Sequence, residues 1–355
     1  MDSGTEVFGY ACGFSDGDDG GIFVYEIDGA SGDLRHVETV DAPAASYAAL
    51  HPNGRYLYVT TRTGECGILA FSIDPEGIPV RADETSLGAT DPCYLSIDET
   101  GRYLFTANYG DSSVAAVSLE NADTFGEEAQ TITHTGSSVN PERQEAPHPH
   151  SIEPLPGNRH VIVPDLGTDQ VLTYPFAPEE PPLTRDGTAV SASPGAGPRH
   201  VAFHPDRDRC YVINELDSTI SAYEFDAETG MLEETQTVET LPPEYTGENA
   251  CAHICVHPNT EWLYASNRGH DSIVRFDIDQ RGDLTRRELT STEGHWPRHF
   301  AIDPSGQYLY VENRRSDSIV PFTIGESGEL TARGTPVTLP EPICLVFGSV
   351  RTNRD

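Results

Sequence analysis

The sequence contains no lysine: all 22 basic side chains are arginine, against 57 Asp and Glu residues, and the formal net charge is −35. A chain this acidic lacks the basic surface that nucleic acids and anionic membranes require, so we expect neither as a partner. The acidic residues are spread along the chain rather than gathered in a tail. We interpret them as adaptation to high salt, which screens their mutual repulsion. The alternative is an acidic surface that binds a basic partner.

Long apolar runs and a cysteine framework are also missing. No run approaches the ~20 residues of a membrane-spanning helix, and the opening residues MDSGTEVFGYACG lack the basic and apolar parts of a signal peptide. The seven cysteines are scattered, odd in number and without a C-x-x-C pair, which argues against a disulfide framework. These features predict a reduced, cytoplasmic protein.

The sequence is rich in internal repetition. Six segments share a short apolar strand, a turn on His-Pro, Asp-Pro or a near equivalent, a second strand, a polar corner and a third strand; two of them read PRHVAFHPDRDRCYVINELDSTISAYEFD and PRHFAIDPSGQYLYVENRRSDSIVPFTIG. A period of about 50 residues with several strands in each repeat predicts a β-propeller. We align the second strands of the six segments at Tyr58, Phe105, Val163, Val212, Ala265 and Val311.

A seventh blade is predicted from the two ends of the chain. The N-terminal part supplies outer strands, EVFGYAC and GIFVYEID, and the C-terminal part supplies PICLVFGS, which matches the inner-strand pattern of PRHVAFHP. Closing the ring in this way removes the free edges of a linear array. We therefore predict an all-β, seven-bladed propeller over residues 1–355 as a single domain. We expect a monomer, since a closed propeller has no obvious need of a partner.

Two repeat positions are predicted to meet at one mouth of the central channel. The innermost strand of each blade lines the channel and the second strand runs antiparallel to it, so the start of the first lies beside the end of the second. The inner-strand starts are Cys93, His150, Arg199, Ala252, Arg298 and Ile343. The second-strand ends are Arg62, Asn108–Tyr109, Asp165, Asn214–Glu215, Asn267–Arg268 and Asn313–Arg314.

This collection is cationic in a strongly acidic protein. Planar arginine donors suit a carboxylate or phosphate, so the cluster predicts a pocket for an anionic small molecule. The alternative is that the arginines form salt bridges between neighbouring blades. We favour a site for the cluster as a whole, with Asp165 and Arg314 as further substrate-binding candidates.

Glu215 and His150 are the candidates for proton transfer. A carboxylate among arginines would have a lowered pKa and would act as a base or as a charge-matched anchor. His150 occupies the position of Arg199 and Arg298 in their blades, and an imidazole can relay a proton near neutral pH. His148 is predicted to lie in the approach loop. Three histidines recur one position further along, so we expect them to point away from the site as structural residues: His200, His253 and His299.

No metal or cofactor is predicted. Cys251, His253, Cys255 and His257 alternate along one strand, but four such residues span ~20 Å, too far for one tetrahedral ion. The DGDDGG segment at 16–21 lacks EF-hand spacing and is interpreted as a solvated turn. No G-x-S-x-G elbow, Walker loop or dinucleotide fingerprint is present.

Several motifs together resemble one known family: PHPHS (147–151), VPDLGTDQV (163–171), GPRHVAFHP (197–205), INELDSTI (213–220), SNRGHDSI (266–273) and WPRHFAIDPSGQYLYVEN (296–313). The chain resembles the bacterial 6-phosphogluconolactonase and fungal carboxymuconate-cyclase family of seven-bladed propellers. The resemblance implies a metal-free enzyme that hydrolyses a sugar lactone or closes cis,cis-muconates to lactones. It also implies that His150, Arg199, Arg268 and Glu215 are catalytic, with His148 possible instead of His150. The segments 121–147 and 236–250 depart most from the family.

We therefore predict a lactonase that acts on a small anionic lactone, such as 6-phosphogluconolactone. Glu215 or His150 would activate a water, while Arg199 and Arg268 would hold the substrate's anionic group and stabilise the oxyanion. Arg298 would be a further substrate clamp. One alternative is a cyclase, in which an acid protonates carbon while the arginines hold two carboxylates. The other is a non-enzymatic binding propeller, although scaffolds usually present apolar or aromatic anchors at a mouth.

Overall fold

A computed structural model describes residues 5–15, 20–62, 66–126, 129–178 and 181–351. Within these ranges the chain forms seven antiparallel sheets, and its only helix is a single 3-10 turn, Arg314–Ser316. Residues 16–19 of the predicted DGDDGG turn lie outside the described residues. The described chain is therefore all-β, as the repeat predicts.

The strands follow the repeat, and the blades are numbered here in chain order. Blade 1 contains β1 (Thr5–Gly13), β2 (Gly21–Ile27), β3 (Leu34–Val40) and β30 (Pro342–Arg351). Blade 2 contains β4 (Ala45–Leu50), β5 (Tyr56–Thr61), β6 (Gly67–Ile73) and β7 (Pro79–Ser86). Blade 3 contains β8 (Pro92–Ile97), β9 (Tyr103–Asn108), β10 (Ser113–Asn121), β11 (Thr124–Phe125) and β12 (Gln130–Thr133). Blade 4 contains β13 (Glu153–Pro154), β14 (His160–Asp165), β15 (Gln170–Pro175) and β16 (Thr188–Ser191).

The remaining three blades complete the ring. Blade 5 contains β17 (Pro198–Phe203), β18 (Arg209–Asn214), β19 (Thr219–Phe225) and β20 (Leu232–Glu239). Blade 6 contains β21 (Ala250–Val256), β22 (Trp262–Arg268), β23 (Ser272–Ile278) and β24 (Leu284–Ser291). Blade 7 contains β25 (Pro297–Ile302), β26 (Tyr308–Asn313), β27 (Ser318–Ile324), β28 (Leu330–Ala332) and β29 (Val337–Thr338).

The ring closes in blade 1, where the strand order is β3-β2-β1-β30. The last strand, β30, is the inner strand, and it pairs with β1 from Thr5 opposite Arg351 to Gly13 opposite Pro342. It also contacts the inner strands of both neighbouring blades, β4 and β25. The prediction of a seven-bladed propeller closed by both ends in one blade is confirmed.

A repeated tyrosine joins most blades to the next. In five blades a fully buried second-strand tyrosine donates its hydroxyl to a main-chain carbonyl in an outer turn of the following blade. The pairs are Tyr10 to Gly77 (3.1 Å), Tyr58 to Ala122 (2.5 Å), Tyr211 to Gly282 (2.9 Å), Tyr264 to Gly328 (2.7 Å) and Tyr310 to Gly32 (2.8 Å). Each tyrosine therefore buries a ring and satisfies its hydroxyl, as a buried phenol requires.

These contacts correct the alignment of four repeats. The residues equivalent to Tyr58 and Phe105 are Ile162, Tyr211, Tyr264 and Tyr310, one position before those predicted. The second strands are buried on both faces, so apolar residues follow one another without a gap. Alternation therefore cannot assign the face of each residue.

Candidate active site

The start of each inner strand lies beside the end of its second strand, as predicted. Pro198 pairs with Asn214 in blade 5, and Pro297 pairs with Asn313 in blade 7. In blade 4 an isolated bridge joins Pro149 to Asp165. The residues that follow these pairs on the inner and second strands therefore gather at one mouth of the channel.

A β-bulge occurs at the predicted site position of several inner strands. The register shifts between Pro198 and His200 and between Pro297 and His299, so Arg199 and Arg298 have no partner on the second strand. The same shift isolates Cys93 in blade 3. A bulge re-aims a side chain. Here the bulges turn the backbone locally at Arg199 and Arg298.

The bulge overturns one prediction about the histidines. His200 does not point away from Arg199: its Nε2 atom lies 2.9 Å from Arg199 Nη1. Strict strand alternation would place consecutive side chains on opposite faces, but the extra residue of the bulge breaks that alternation. His200, His253 and His299 form instead a row of rings along the channel, with centroids 5.3 Å and 4.0 Å apart.

Glu215 lies at the centre of the mouth and binds three arginines. Its Oε2 atom accepts from Arg199 Nε (3.0 Å) and Arg268 Nη2 (2.8 Å), and its Oε1 atom accepts from Arg143 Nη2 (2.7 Å). Glu215 is 3% exposed and Arg199 is 1% exposed. We call the group of Arg143, Arg199, Arg268 and Arg298 the arginine mouth.

The arginines control the protonation of Glu215. Burial alone would raise the pKa of this carboxyl, but Arg268 and Arg199, together with Arg143, hold it well below its usual range. Burial and the neighbouring Arg268 lower the pKa of Arg199 to about 10. Both groups are therefore charged at neutral pH, and Glu215 is a weak base.

The hydrogen bonds of Arg199 determine the tautomers of two histidines. Its Nη1 donates to the Ala252 carbonyl (2.5 Å) and to His200 Nε2, since a guanidinium has no acceptor. The His200 proton is therefore on Nδ1, which donates to Nδ1 of His253 (3.0 Å). Burial and Arg199 lower the pKa of His200 well below its usual range, which keeps it neutral. Within the described chain, Nη2 of Arg199 makes no hydrogen bond and is available to a ligand.

His150 and His148 differ in the hydrogen bonds that their ring nitrogens make. His148 stacks on Tyr109 with a centroid distance of 4.2 Å, donates from Nδ1 to the Tyr109 carbonyl (2.9 Å), and has Nε2 3.4 Å from Glu145. His150 has only a long contact from Nδ1 to Cys93 Sγ (3.7 Å), and Nε2 makes no hydrogen bond to the described residues. Burial and Arg199 lower the pKa of His150 well below its usual range. His150 is therefore a neutral imidazole with a free nitrogen at the mouth.

Arg298 is a half-buried guanidinium that makes no hydrogen bond or ion pair in the ranges that the structure covers. Desolvation, followed by the charges of Arg199, Arg268, Arg314 and Arg62, lowers its pKa well below the usual range. An unpaired cation in the field of four others is a natural receptor for an anion.

Two predicted substrate-binding residues already bind neighbouring residues of the protein. Oδ1 of Asp165 accepts the main-chain N–H of His148 (2.8 Å) and of two later residues, while Oδ2 lies 2.6 Å from His134 Nδ1. Arg314 forms an ion pair with Glu341 at 2.6 Å and lies over the Phe14 ring. The structure brings both residues to the mouth region, but their polar atoms bind neighbouring residues.

Arg143 is the site residue that sequence reasoning missed. It lies between β12 and β13, outside the strand repeat, so its position could not be found by counting repeats. The only signal was the departure of residues 121–147 from the family pattern. Its contacts with Glu215 and with the Tyr109 hydroxyl (3.5 Å) exist only in three dimensions.

Among the described residues, no group of three or more His, Cys, Asp or Glu side chains has the arrangement of a metal site. In the strand that alternates Cys and His, His253 contacts His200 while His257 Nε2 hydrogen-bonds the Gly306 carbonyl (2.8 Å). No helix of the described chain is long and apolar enough to cross a membrane.

Comparison with known proteins places the chain in one family. A sequence model described as "Lactonase, 7-bladed beta-propeller" matches residues 8–347. The chain belongs to this lactonase family. The 6-phosphogluconolactonase of Bacillus subtilis (strain 168) is 32% identical over 298 residues, which cover 83% of this chain and 84% of that protein. The resemblance inferred from the motifs is thereby confirmed.

Two solved structures extend the comparison. The periplasmic gluconolactonase PpgL of Pseudomonas aeruginosa has a TM-score of 0.92 at 29% identity, covering 98% of this chain and 100% of that one. A putative 6-phosphogluconolactonase from Bacteroides fragilis NCTC 9343 has a TM-score of 0.90 at 29% identity, covering 98% of both chains. The likeness to these lactonase-family structures extends over nearly the whole chain.

Proposed function

We propose that this protein is a lactonase that hydrolyses the ring ester of a small anionic sugar-acid lactone, such as 6-phosphogluconolactone, at the arginine mouth. The observation that carries the proposal is the unpaired Arg298 guanidinium beside the Glu215 cluster. Three guanidinium groups bind one carboxylate there and that of Arg298 remains unpaired, which leaves net positive charge for the anionic group of a substrate. The family and the named relatives support the same reaction class.

Between the two predicted bases, the contacts favour His150. Both oxygens of Glu215 accept hydrogen bonds from arginine, so neither is free to accept a proton from water. His150 is neutral with Nε2 free, so it can accept a proton from a water molecule. Glu215 then serves as the anchor that keeps the arginines together and charged.

The reaction follows from these roles. Water attacks the lactone carbonyl carbon as His150 takes its proton, and the oxyanion forms near the free Nη2 donors of Arg199. The tetrahedral intermediate collapses, the ring C–O bond breaks, and the imidazolium returns its proton to the leaving alkoxide. Arg298 holds the anionic group of the substrate throughout. Asp165 positions the segment that carries His148 and His150 rather than binding the substrate.

The test is acid release, followed with a pH indicator in molar KCl, from 6-phosphogluconolactone, unphosphorylated sugar lactones and muconolactones. These lactones hydrolyse spontaneously, so Arg199→Ala is measured alongside the wild type. Arg55→Ala, which changes an exposed arginine on a blade-2 turn, is the matched control. We expect turnover that is lost in Arg199→Ala and kept in Arg55→Ala. No turnover above background would contradict the proposal and favour the cyclase or a binding propeller.

We also propose that the acidic surface is an adaptation to high salt. At −35 net charge, carboxylate repulsion should destabilise the folded chain in dilute buffer. The melting temperature should rise steeply between dilute buffer and molar KCl. An unchanged melting temperature would contradict this proposal.

For location and assembly, we propose a cytoplasmic monomer. All seven cysteines are free thiols, five of them buried, which suits a reducing compartment. The periplasmic relative from Pseudomonas aeruginosa makes the periplasm the competing outcome in a cell-fractionation experiment. Light scattering in molar KCl would test the monomer.

A further inference from the structure

The third arginine on Glu215 differs from the other two in its environment. The side chains of Arg199 and Arg268, both on blade strands, are 1% and 5% exposed, whereas that of Arg143 is 39% exposed. Arg143 makes one short hydrogen bond, to Glu215 Oε1, and its Nε and Nη1 atoms have no partner among the described residues. It therefore covers the outer side of Glu215 with donors to spare.

The turn that carries Arg143 is internally hydrogen-bonded. The Asn140 side chain accepts the main-chain N–H groups of Glu142 (3.0 Å) and Arg143 (3.2 Å) through Oδ1. The Asn140 carbonyl accepts from Gln144 N (2.8 Å), and Asn140 N donates to Gln144 Oε1 (3.0 Å). These four bonds hold residues 140–144 in one conformation.

A buried anchor joins this turn to the blade that supplies Arg199. Gln144 is fully buried, and its Nε2 donates to the Leu166 carbonyl (2.8 Å) and to Asp169 Oδ1 (2.7 Å). The same Asp169 oxygen accepts the N–H of Gly197, two residues before Arg199 (2.7 Å). Gln144 thus fixes the loop against the mouth, while the guanidinium of the preceding Arg143 remains half exposed.

We propose that Arg143 is a specificity-determining residue, which together with Arg298 binds the anionic group that a lactone carries beyond its ring. The inference rests on the proposed lactonase function. The buried Arg199 and Arg268 face the reacting centre, so a phosphate or carboxylate that projects from the mouth meets the free donors of Arg143. A guanidinium donates charge-assisted hydrogen bonds to such a group, whereas a neutral hydroxyl offers no charge to match. Arg143 therefore favours phosphorylated over unphosphorylated sugar lactones.

The test compares Arg143→Gln and Arg143→Lys with the wild type on 6-phosphogluconolactone and glucono-δ-lactone. We expect Arg143→Gln to raise KM for the phosphorylated lactone at least tenfold, with kcat within about threefold, as the loss of charge-assisted hydrogen bonds predicts. KM for glucono-δ-lactone should change less than twofold. Lysine should restore part of the affinity, because it keeps the charge but not the planar donors.

Binding of the product acids separates this proposal from the proposed function. Titration calorimetry with 6-phosphogluconate and gluconate reports on Arg143 even if the wild type turned over neither lactone. Arg143→Gln should weaken 6-phosphogluconate at least tenfold and leave gluconate unchanged.

Arg315→Gln is the control for general electrostatics. Arg315 lies in the turn after the second strand of blade 7, with its guanidinium over the Trp296 ring, and it does not contact Glu215. Equal losses for both acids, an unchanged affinity for 6-phosphogluconate, or the same loss in Arg315→Gln would each overturn the proposal.

Discussion

The pKa of a glutamate is shifted in opposite directions at the arginine mouth and in the channel below it. At the mouth, three arginines hold the Glu215 carboxyl ionised, with its pKa well below the usual range. In the channel, Glu153 accepts one hydrogen bond from Tyr94 (2.5 Å), and burial raises its pKa to about 7. Arginine contacts therefore keep the Glu215 carboxyl ionised, whereas burial without a neighbouring cation favours the protonated form of Glu153.

Among the substitutions that test this difference, Glu215→Gln should have the largest effect on the free energy of unfolding. The amide leaves Arg199 and Arg268 buried without a counter-charge, and breaking a buried ion pair costs about 3–5 kcal/mol. We expect a marked drop in the free energy of unfolding, measured by urea denaturation in molar KCl, together with loss of lactonase activity.

Glu153→Gln is the matched comparison, because it replaces a protonated acid with a neutral group of the same shape. Below pH 5 its stability should lie within about 1 kcal/mol of the wild type, since the Tyr94 hydrogen bond is kept. A large loss in Glu153→Gln and a small one in Glu215→Gln would reverse the contrast.

The pH dependence of stability should show whether the folded protein keeps Glu153 protonated. Because the folded pKa of Glu153 is raised from 4.5 to about 7, its contribution is fully present below pH 4.5 and is lost as pH rises through 7. Between these values the wild type should lose roughly 2–3 kcal/mol relative to Glu153→Gln. Denaturation of both proteins across pH 4.5–8 measures the difference, and parallel curves would contradict a protonated Glu153.

Arg298→Gln should have the smallest effect on stability, and in the opposite direction. Removing an unpaired guanidinium from the field of four other arginines relieves repulsion, so the melting temperature should rise by ~2 °C. KM for an anionic lactone should rise in the same variant, because the substrate loses its receptor. A fall in melting temperature would show that Arg298 stabilises the mouth instead.

The repeat made the fold predictable, and with it the gathering of Arg199, Arg268, Glu215 and His150. Each lies at a fixed position of the repeat, at or next to the end of a strand, so counting along the repeat is enough to bring them together. The gathering can be predicted because a propeller arranges its repeats in a ring, which brings equivalent positions of the repeats to the same end of the channel.

The remaining features depend on contacts that the period does not contain. The bulges that isolate Arg199 and Arg298 break strand alternation, so the direction of His200 was predicted wrongly. Arg143 reaches Glu215 from a loop 72 residues away in the chain, held by the buried Gln144. Such contacts depend on individual hydrogen bonds, which periodicity does not encode.

The closure of blade 1 has a consequence for biosynthesis. Strand β30 follows every other strand of the ring in chain order, so it leaves the ribosome after them. Until then β1 has an unpaired edge, and the inner strands β4 and β25 lack the neighbour they share. Exposed edges of this kind promote association between chains. The nascent protein therefore passes through a stage that needs protection from aggregation, and the last strand ends that stage by closing the circle.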